Sequence, residues 1–262
     1  MTQPANHPLA RRALAELVGT AFLVTAVIGS GIAAVRLSPS DVGLQLLENS
    51  LVTGAALVAL ILALQPLSAS FNPVITLIER SFGLITTRDA AAMMVAQFAG
   101  GFLGALVANV MFDLDPISIA AQDRSSGGLW VGEIVATTGL VLIVFGGLRS
   151  GRCQTVAIAV GAYITAAYWF TSSTSFANPA VTTSRMFSDT FAGIAPASVP
   201  AFLAAQVVGG AIGLVLVRVL YPAAGLSAGV AVVPSAILPR QPPSGRAKPD
   251  DRQAVRPVRL RP

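Results

Sequence analysis

Thr174-Ser-Phe-Ala-Asn-Pro-Ala-Val-Thr-Thr-Ser-Arg185 decides the fold, because it sets Asn178 and Pro179 between two long apolar segments. Asparagine is a strong helix N-cap, and proline is tolerated at the first helical position, where its missing N–H would be unpaired anyway. The stretch therefore reads as the start of a short helix. Ser68-Ala-Ser-Phe-Asn-Pro-Val-Ile-Thr-Leu77 carries the same Ser, Phe, Asn-Pro and Thr elements in the first half of the chain. The apolar run after Asn72 is far too short to cross a bilayer, which takes about 20 helical residues, so it reads as re-entrant. Two copies of one device imply a site where they meet.

The surrounding composition sets the class. Of 262 residues 54% are hydrophobic and 11% charged, well under the roughly 25% charged share of soluble domains. Six apolar runs are long enough to span a membrane, near 13–35, 44–66, 90–112, 130–148, 153–171 and 198–221. The first run lacks a small-residue cleavage site, so it is expected to stay in the mature chain. One cysteine, Cys153, excludes an intramolecular disulfide, and the one histidine, His7, lies in the polar N-terminal tail. With no metal-ligand cluster and no nucleophile–base–orienter set, neither metal, cofactor nor enzyme activity is expected.

The formal charge of +5 reads as topology and not as nucleic-acid binding. Arg11, Arg12, Arg80, Arg88, Arg149, Arg152, Arg218 and the Arg-rich tail fall on one side if the six spans alternate, leaving Arg36 and Arg124 across the bilayer. The positive-inside rule then puts both termini in the cytoplasm, with the protein multi-pass in the cell inner (plasma) membrane.

Three markers recur in the same order. Glu16 opens the first span and Glu133 the fourth; a carboxylate inside a span costs roughly 2.5–3.5 kcal/mol on insertion scales, so each needs a partner. Asn72-Pro73 matches Asn178-Pro179. Gln97-Phe-Ala-Gly-Gly-Phe-Leu-Gly104 matches Gln206-Val-Val-Gly-Gly-Ala-Ile-Gly213, and small residues four apart let membrane helices approach closely. The offsets are 117 (133 − 16), 106 (178 − 72) and 109 (206 − 97). Three spans per half start the second copy on the opposite side of the membrane, so the repeat is inverted and the two re-entrant segments meet at the midplane.

The expected architecture is an all-α membrane protein with six transmembrane helices plus two re-entrant half-helices in an inverted 3+3 repeat. Residues 1–12 form an N-terminal tail and 13–112 the first repeat, with its half-helix near 72–80. A linker at 113–129 carries no motif. The second repeat is 130–221, with its half-helix near 178–187, and 222–262 is a tail expected to be largely disordered. Its apolar part, 223–238, is broken by Gly225, Gly229 and Pro234 and reads as interfacial, not as a seventh span.

Each half-helix would present free amides and about half an elementary charge of positive dipole at its N-terminus. Two of them meeting at mid-membrane repel cations and hydronium, while the amides of Asn72 and Asn178 offer donors to a passing neutral oxygen. Such a site suits a pore for small uncharged solutes. An alternating-access transporter also uses inverted repeats and broken helices, but apart from Glu16, Glu133 and Glu48 near the head of the second span these spans hold no acid to bind Na⁺ or H⁺. A non-conducting scaffold would keep the fold without flux.

On these motifs the chain, over about residues 13–221, resembles the aquaporins of the major intrinsic protein family. The resemblance implies a homotetramer with one pore per subunit, with water, small neutral solutes and the lipid bilayer as its partners. It also implies that Glu16 and Glu133 support the re-entrant backbones, and that Asn72, Pro73, Val74, Asn178, Pro179 and Ala180 form the paired pore motif. Val74 departs from the usual alanine. The residue after the second Asn-Pro-Ala, usually arginine, is Val181.

Aligned on Gly54 and Gly161, the remaining constriction positions fall on Thr53, Tyr168 and Ser175. An uncharged constriction of Thr, Tyr, Ser and Val implies relaxed water selectivity. Tyr168-Trp-Phe-Thr-Ser-Ser-Thr-Ser-Phe-Ala-Asn-Pro-Ala-Val181 resembles bacterial members that conduct glycerol-like polyols and trivalent metalloid hydroxides such as arsenite and antimonite. A water-selective channel with an unusual filter is the alternative. Arg185, one turn beyond Val181, is expected to be a structural residue paired with protein groups. Cys153 is expected to pack, and Trp130 and Trp169 to pack or sit at the membrane interface.

Overall fold

The computed structural model describes residues 7–222; the apolar segment 223–238 and the Pro- and Arg-rich tail lie outside the described residues. Every described regular element is helical. The first repeat contains α1 (Leu9–Leu37), α2 (Val42–Leu64), the short α3 (Pro73–Ser81) and α4 (Thr87–Met111), and the second contains α5 (Gly127–Arg149), α6 (Val156–Phe170), the short α7 (Pro179–Ser184) and α8 (Val199–Leu220). Among the described residues six helices are long and apolar enough to cross a membrane. The chain is a multi-pass membrane protein.

Local chemistry fixes the ends. Helix α1 begins before its apolar run because Pro8 provides the first carbonyl and the Arg12 guanidinium finds Asp89 of α4 at 3.2 Å. Asp41, Thr86 and Ser126 cap α2, α4 and α5 by accepting a backbone N–H with their side chains. Gly83, at φ +73, follows α3 and lets Leu84 N–H reach back to Glu79 O, closing that helix.

Helix α7 is shorter than the expected 178–187. It ends at Ser184 and tightens into a 3₁₀ turn over Arg185–Phe187. The hydroxyls of Thr182, Thr183 and Ser184 all bond back to carbonyls one turn earlier, on Asn178, Pro179 and Ala180, a competition that disfavours further α-helix.

The two repeats pack alike: α1 lies mainly on α4, and α5 on α8, while α2 and α6 join the halves. In that joint Gly54 and Gly161 touch backbone to backbone, since a Cβ on either would fall 2.8 or 2.5 Å from the other's carbonyl oxygen. The paired Q-x-x-G-G-x-x-G motifs divide their labour. Gly100 and Gly104 press on the carbonyls of Leu17 and Ala21 in α1, whereas Gly101 seats Ser184 of α7 and Gly210 seats Val74 of α3. Val74 thus points at α8, where a glycine leaves space for its extra methyl groups.

The segment between the repeats is not inert. Ser118 and Ala120 donate their N–H groups to Phe187 O and Met186 O, Ala195 N–H donates to Gln122 O, and Asn109 Nδ2 donates to both Pro116 O and Phe187 O. The linker is therefore laced to the turn that follows α7.

Candidate functional site

The half-helices α3 and α7 meet at their N-termini. Asn72 Oδ1 accepts from Val74 N–H at 2.9 Å, and Asn178 Oδ1 accepts from Ala180 and Val181 N–H at 3.0 and 3.3 Å. Their amide nitrogens cross over: Asn72 Nδ2 donates to Ala177 O at 2.8 Å and Asn178 Nδ2 donates to Phe71 O at 2.7 Å. Sequence alone offered both amides wholly to a passing solute. In the fold one N–H of each side chain ties the repeats together, and its second N–H remains.

The carbonyls that receive these bonds belong to strained residues. Phe71 and Ala177 both sit at φ 48, a left-handed conformation uncommon outside glycine. Opposed carboxylates hold it. Glu16 accepts from the Ser70 and Phe71 N–H groups at 2.9 and 2.7 Å, and from the Ser68 hydroxyl. Glu133 accepts from the Phe176 and Ala177 N–H groups at 2.8 and 2.9 Å. Gln97 Nε2 then donates to Glu16 and Thr76, and Gln206 Nε2 to Glu133 and Thr182. Each carboxylate is fully buried, and charge-assisted bonds of this kind are the compensation that burial requires.

A cavity of about 70 Å³ runs past the junction, room for several waters. The lining that the spans supply is mostly apolar and is drawn from both halves: Leu23 and Val27 of α1, with Leu140 and Val144 of α5 at the same 117-residue offset, and Leu57, Ile61, Val160 and Ile164 from α2 and α6. Polar groups on the lining come from the re-entrant segments, Ser70 and Asn72 leading into α3 and Ser175 and Asn178 leading into α7. Such a lining lets a small neutral molecule exchange hydrogen bonds with a few fixed groups while the apolar remainder gives nothing to an ion that must shed its hydration.

All four constriction candidates line this cavity: Thr53, Tyr168, Ser175 and Val181. Thr53 Oγ1 and Tyr168 OH are 3.1 Å apart and hydrogen-bonded. The Ser175 hydroxyl is buried without a protein partner among the described residues. Pro73, Val74, Pro179 and Ala180 shape the half-helix starts from behind and are not on the wall. Trp169 donates to Ser50 Oγ and is half exposed, Trp130 is exposed, and Cys153 packs at the edge of the core.

Two arginines were not read from the sequence as part of this site. Arg185 lines the cavity: its Nε donates to Ala192 O, and its guanidinium carbon lies 3.4 Å from the centroid of the Phe176 ring. Arg124, in the linker expected to carry no motif, lies 5.0 Å from the same centroid and donates from Nε to Gly193 O. Burial pushes Arg124 below its ordinary value. Its neighbour Asp123 is held low by hydroxyl donation from Ser125 and Ser198. Nothing local marks these arginines, because their partners come from the loop at 192–198.

The fold and cavity define a membrane channel. A family model described as major intrinsic protein matches residues 4–155. Over 217 residues the chain is 47% identical to aquaglyceroporin AqpS of Rhizobium meliloti (strain 1021), covering 82% of this chain and 92% of that protein. The chain belongs to the major intrinsic protein family. Its fold is similar to the X-ray structure of the aquaglyceroporin from Plasmodium falciparum, with a TM-score of 0.63 at 18% identity over 82% of this chain and 98% of that one; at that identity the likeness speaks for the fold.

Proposed function

We propose that this channel passively conducts water and small neutral solutes, chiefly glycerol-like polyols and the undissociated trivalent acids of arsenic and antimony. The observation that carries the reading is the lining: apolar side chains from the spans together with Asn72, Asn178, Ser175 and the Thr53–Tyr168 hydroxyl pair, with Val181 where a longer side chain would narrow the passage. Polyols match that mixed lining, since they carry a carbon chain as well as hydroxyls. Arsenous acid is neutral near pH 7 and has a similar set of hydroxyls, so no charge barrier stops it. The 47% identity to a protein called an aquaglyceroporin favours polyols among neutral solutes.

The arginine pattern supports cytoplasmic termini in the inner membrane, and the exposed apolar faces of the spans are suited to lipid and to three further copies in a homotetramer.

Stopped-flow light scattering of reconstituted vesicles tests this with water, glycerol and arsenite, for the unaltered chain and Val181→Arg. Glycerol and arsenite fluxes should exceed those of empty vesicles and fall by about tenfold or more in the variant, with water flux retained. Water flux without glycerol or arsenite flux would make the protein a water-selective channel and remove the polyol reading.

A further inference from the structure

We infer that Arg185 is the specificity-determining cation of this pore, standing at its far mouth, on the face opposite the start of α1. The inference rests on the channel reading. Arg185 is 2% exposed yet lines the cavity. Among the described residues the guanidinium's only hydrogen bond is from Nε to Ala192 O, so both Nη nitrogens are left to the cavity. No carboxylate lies within ion-pair distance of it, the one salt bridge among the described residues being Arg12–Asp89. A buried charge without a counter-charge is expensive, and this one is held in place by the stack on Phe176 and the Ala192 carbonyl.

The position also has a mate. Arg185 follows Asn178 by the same interval at which Glu79 follows Asn72, the repeat offset being 106 again (185 − 79). Both side chains reach the residue two before their asparagine: Arg185 lies over Phe176, and Glu79 accepts from Ser70 Oγ at 3.0 Å. The scaffold thus turns this position toward the segment before the asparagine in both halves, and in the second half, where it reaches the cavity, it holds a guanidinium. With Val181 short, the Nη groups and the unpartnered Ser175 hydroxyl share the far mouth. A fixed positive charge there repels cations, and its forked donors grip the oxygens of a neutral polyol.

The test compares wild type, Arg185→Gln and Arg185→Lys in vesicles, with flux normalised to incorporated protein, and adds methylammonium as a small cation beside water and glycerol. Arg185→Gln should raise methylammonium uptake by roughly tenfold and shift the glycerol-to-water ratio by at least about threefold. Arg185→Lys keeps the charge and loses the flat fork, so it should exclude methylammonium like wild type while the glycerol-to-water ratio still shifts. If Arg185→Gln conducts water with wild-type cation exclusion and ratio, the inference is overturned. Should Arg185→Gln fail to insert, Arg185→Lys decides: an unchanged ratio overturns the inference and a shifted one supports it. Failure of the channel reading looks different, because wild type itself would then conduct no solute faster than empty vesicles.

Discussion

The two repeats build one clamp twice and then diverge where solute passes. Glu16 and Glu133, Gln97 and Gln206, Thr76 and Thr182, Asn72 and Asn178 occupy equivalent places and make equivalent bonds. The reason is geometric: each half must hold a non-helical backbone inside the bilayer, where every unpaired N–H is costly. The mouths carry no such constraint. Ser70 stands opposite Phe176 in the repeat, and Glu79 opposite Arg185; Arg185 lines the cavity, whereas Glu79 is buried behind Ser70 and does not. Duplicated residues report what the membrane demands, and the differing ones report what the solute meets.

The largest expected effect probes the shared clamp. Glu16→Ala and Glu133→Ala should each leave two backbone N–H groups unpaired in the interior, costing about 2–6 kcal/mol. Both should lose assembled protein on detergent size-exclusion chromatography, to the same degree. Tolerance of one and loss of the other would break the equivalence of the halves.

A smaller effect sharpens the one difference within the paired motif. Val74 fills the place where Gly210 would carry a Cβ, whereas Gly101 in the other half faces Ser184 and the Ala180 carbonyl. Gly210→Ala should therefore destabilise by about 1–3 kcal/mol, and adding Val74→Ala should restore most of the melting temperature. Gly101→Ala should gain nothing from Val74→Ala. Equal rescue of both glycine variants would show that Val74 is not what distinguishes the halves.

The smallest effect concerns the far-face loop. Asp123 is held below the usual carboxylate value by the Ser125 and Ser198 hydroxyls. A carboxylate whose folded value is depressed contributes stability that is present above its unfolded value, about 3.9, and is lost as pH falls through the folded one. Between pH 7 and 5, Asp123→Asn should therefore differ from wild type by a constant small amount in thermal melts. A difference that vanishes within that range would mean Asp123 titrates there and that its hydroxyl partners do not hold it.

Much of this architecture is legible in the sequence because its signals are local and doubled. Apolar length marks the spans, Asn-Pro marks the half-helix starts, and a glutamate or a Gly-Gly pair repeated at a near-constant offset marks the inverted repeat. The site was legible in part. Thr53, Tyr168, Ser175 and Val181 were reached through the family resemblance, aligned on Gly54 and Gly161, and they line the cavity, but Arg185 and Arg124 were not reached that way. Arg185 reaches the cavity only because α7 ends at Ser184 and the Ala192 carbonyl draws its Nε; Arg124 joins it through Gly193 and Phe176, both far along the chain.

By itself, then, the sequence determined the membrane class, the six spans, the inverted repeat and the paired half-helix caps, since these depend on hydropathy, capping and periodicity within short windows. The tertiary structure decided the rest: the exchange of asparagine amides between halves, the left-handed Phe71 and Ala177 held by buried carboxylates, and the arrival of the Arg185 guanidinium on the cavity lining. Those depend on which distant groups a folded backbone brings within hydrogen-bond reach, and spacing along the chain carries no record of that.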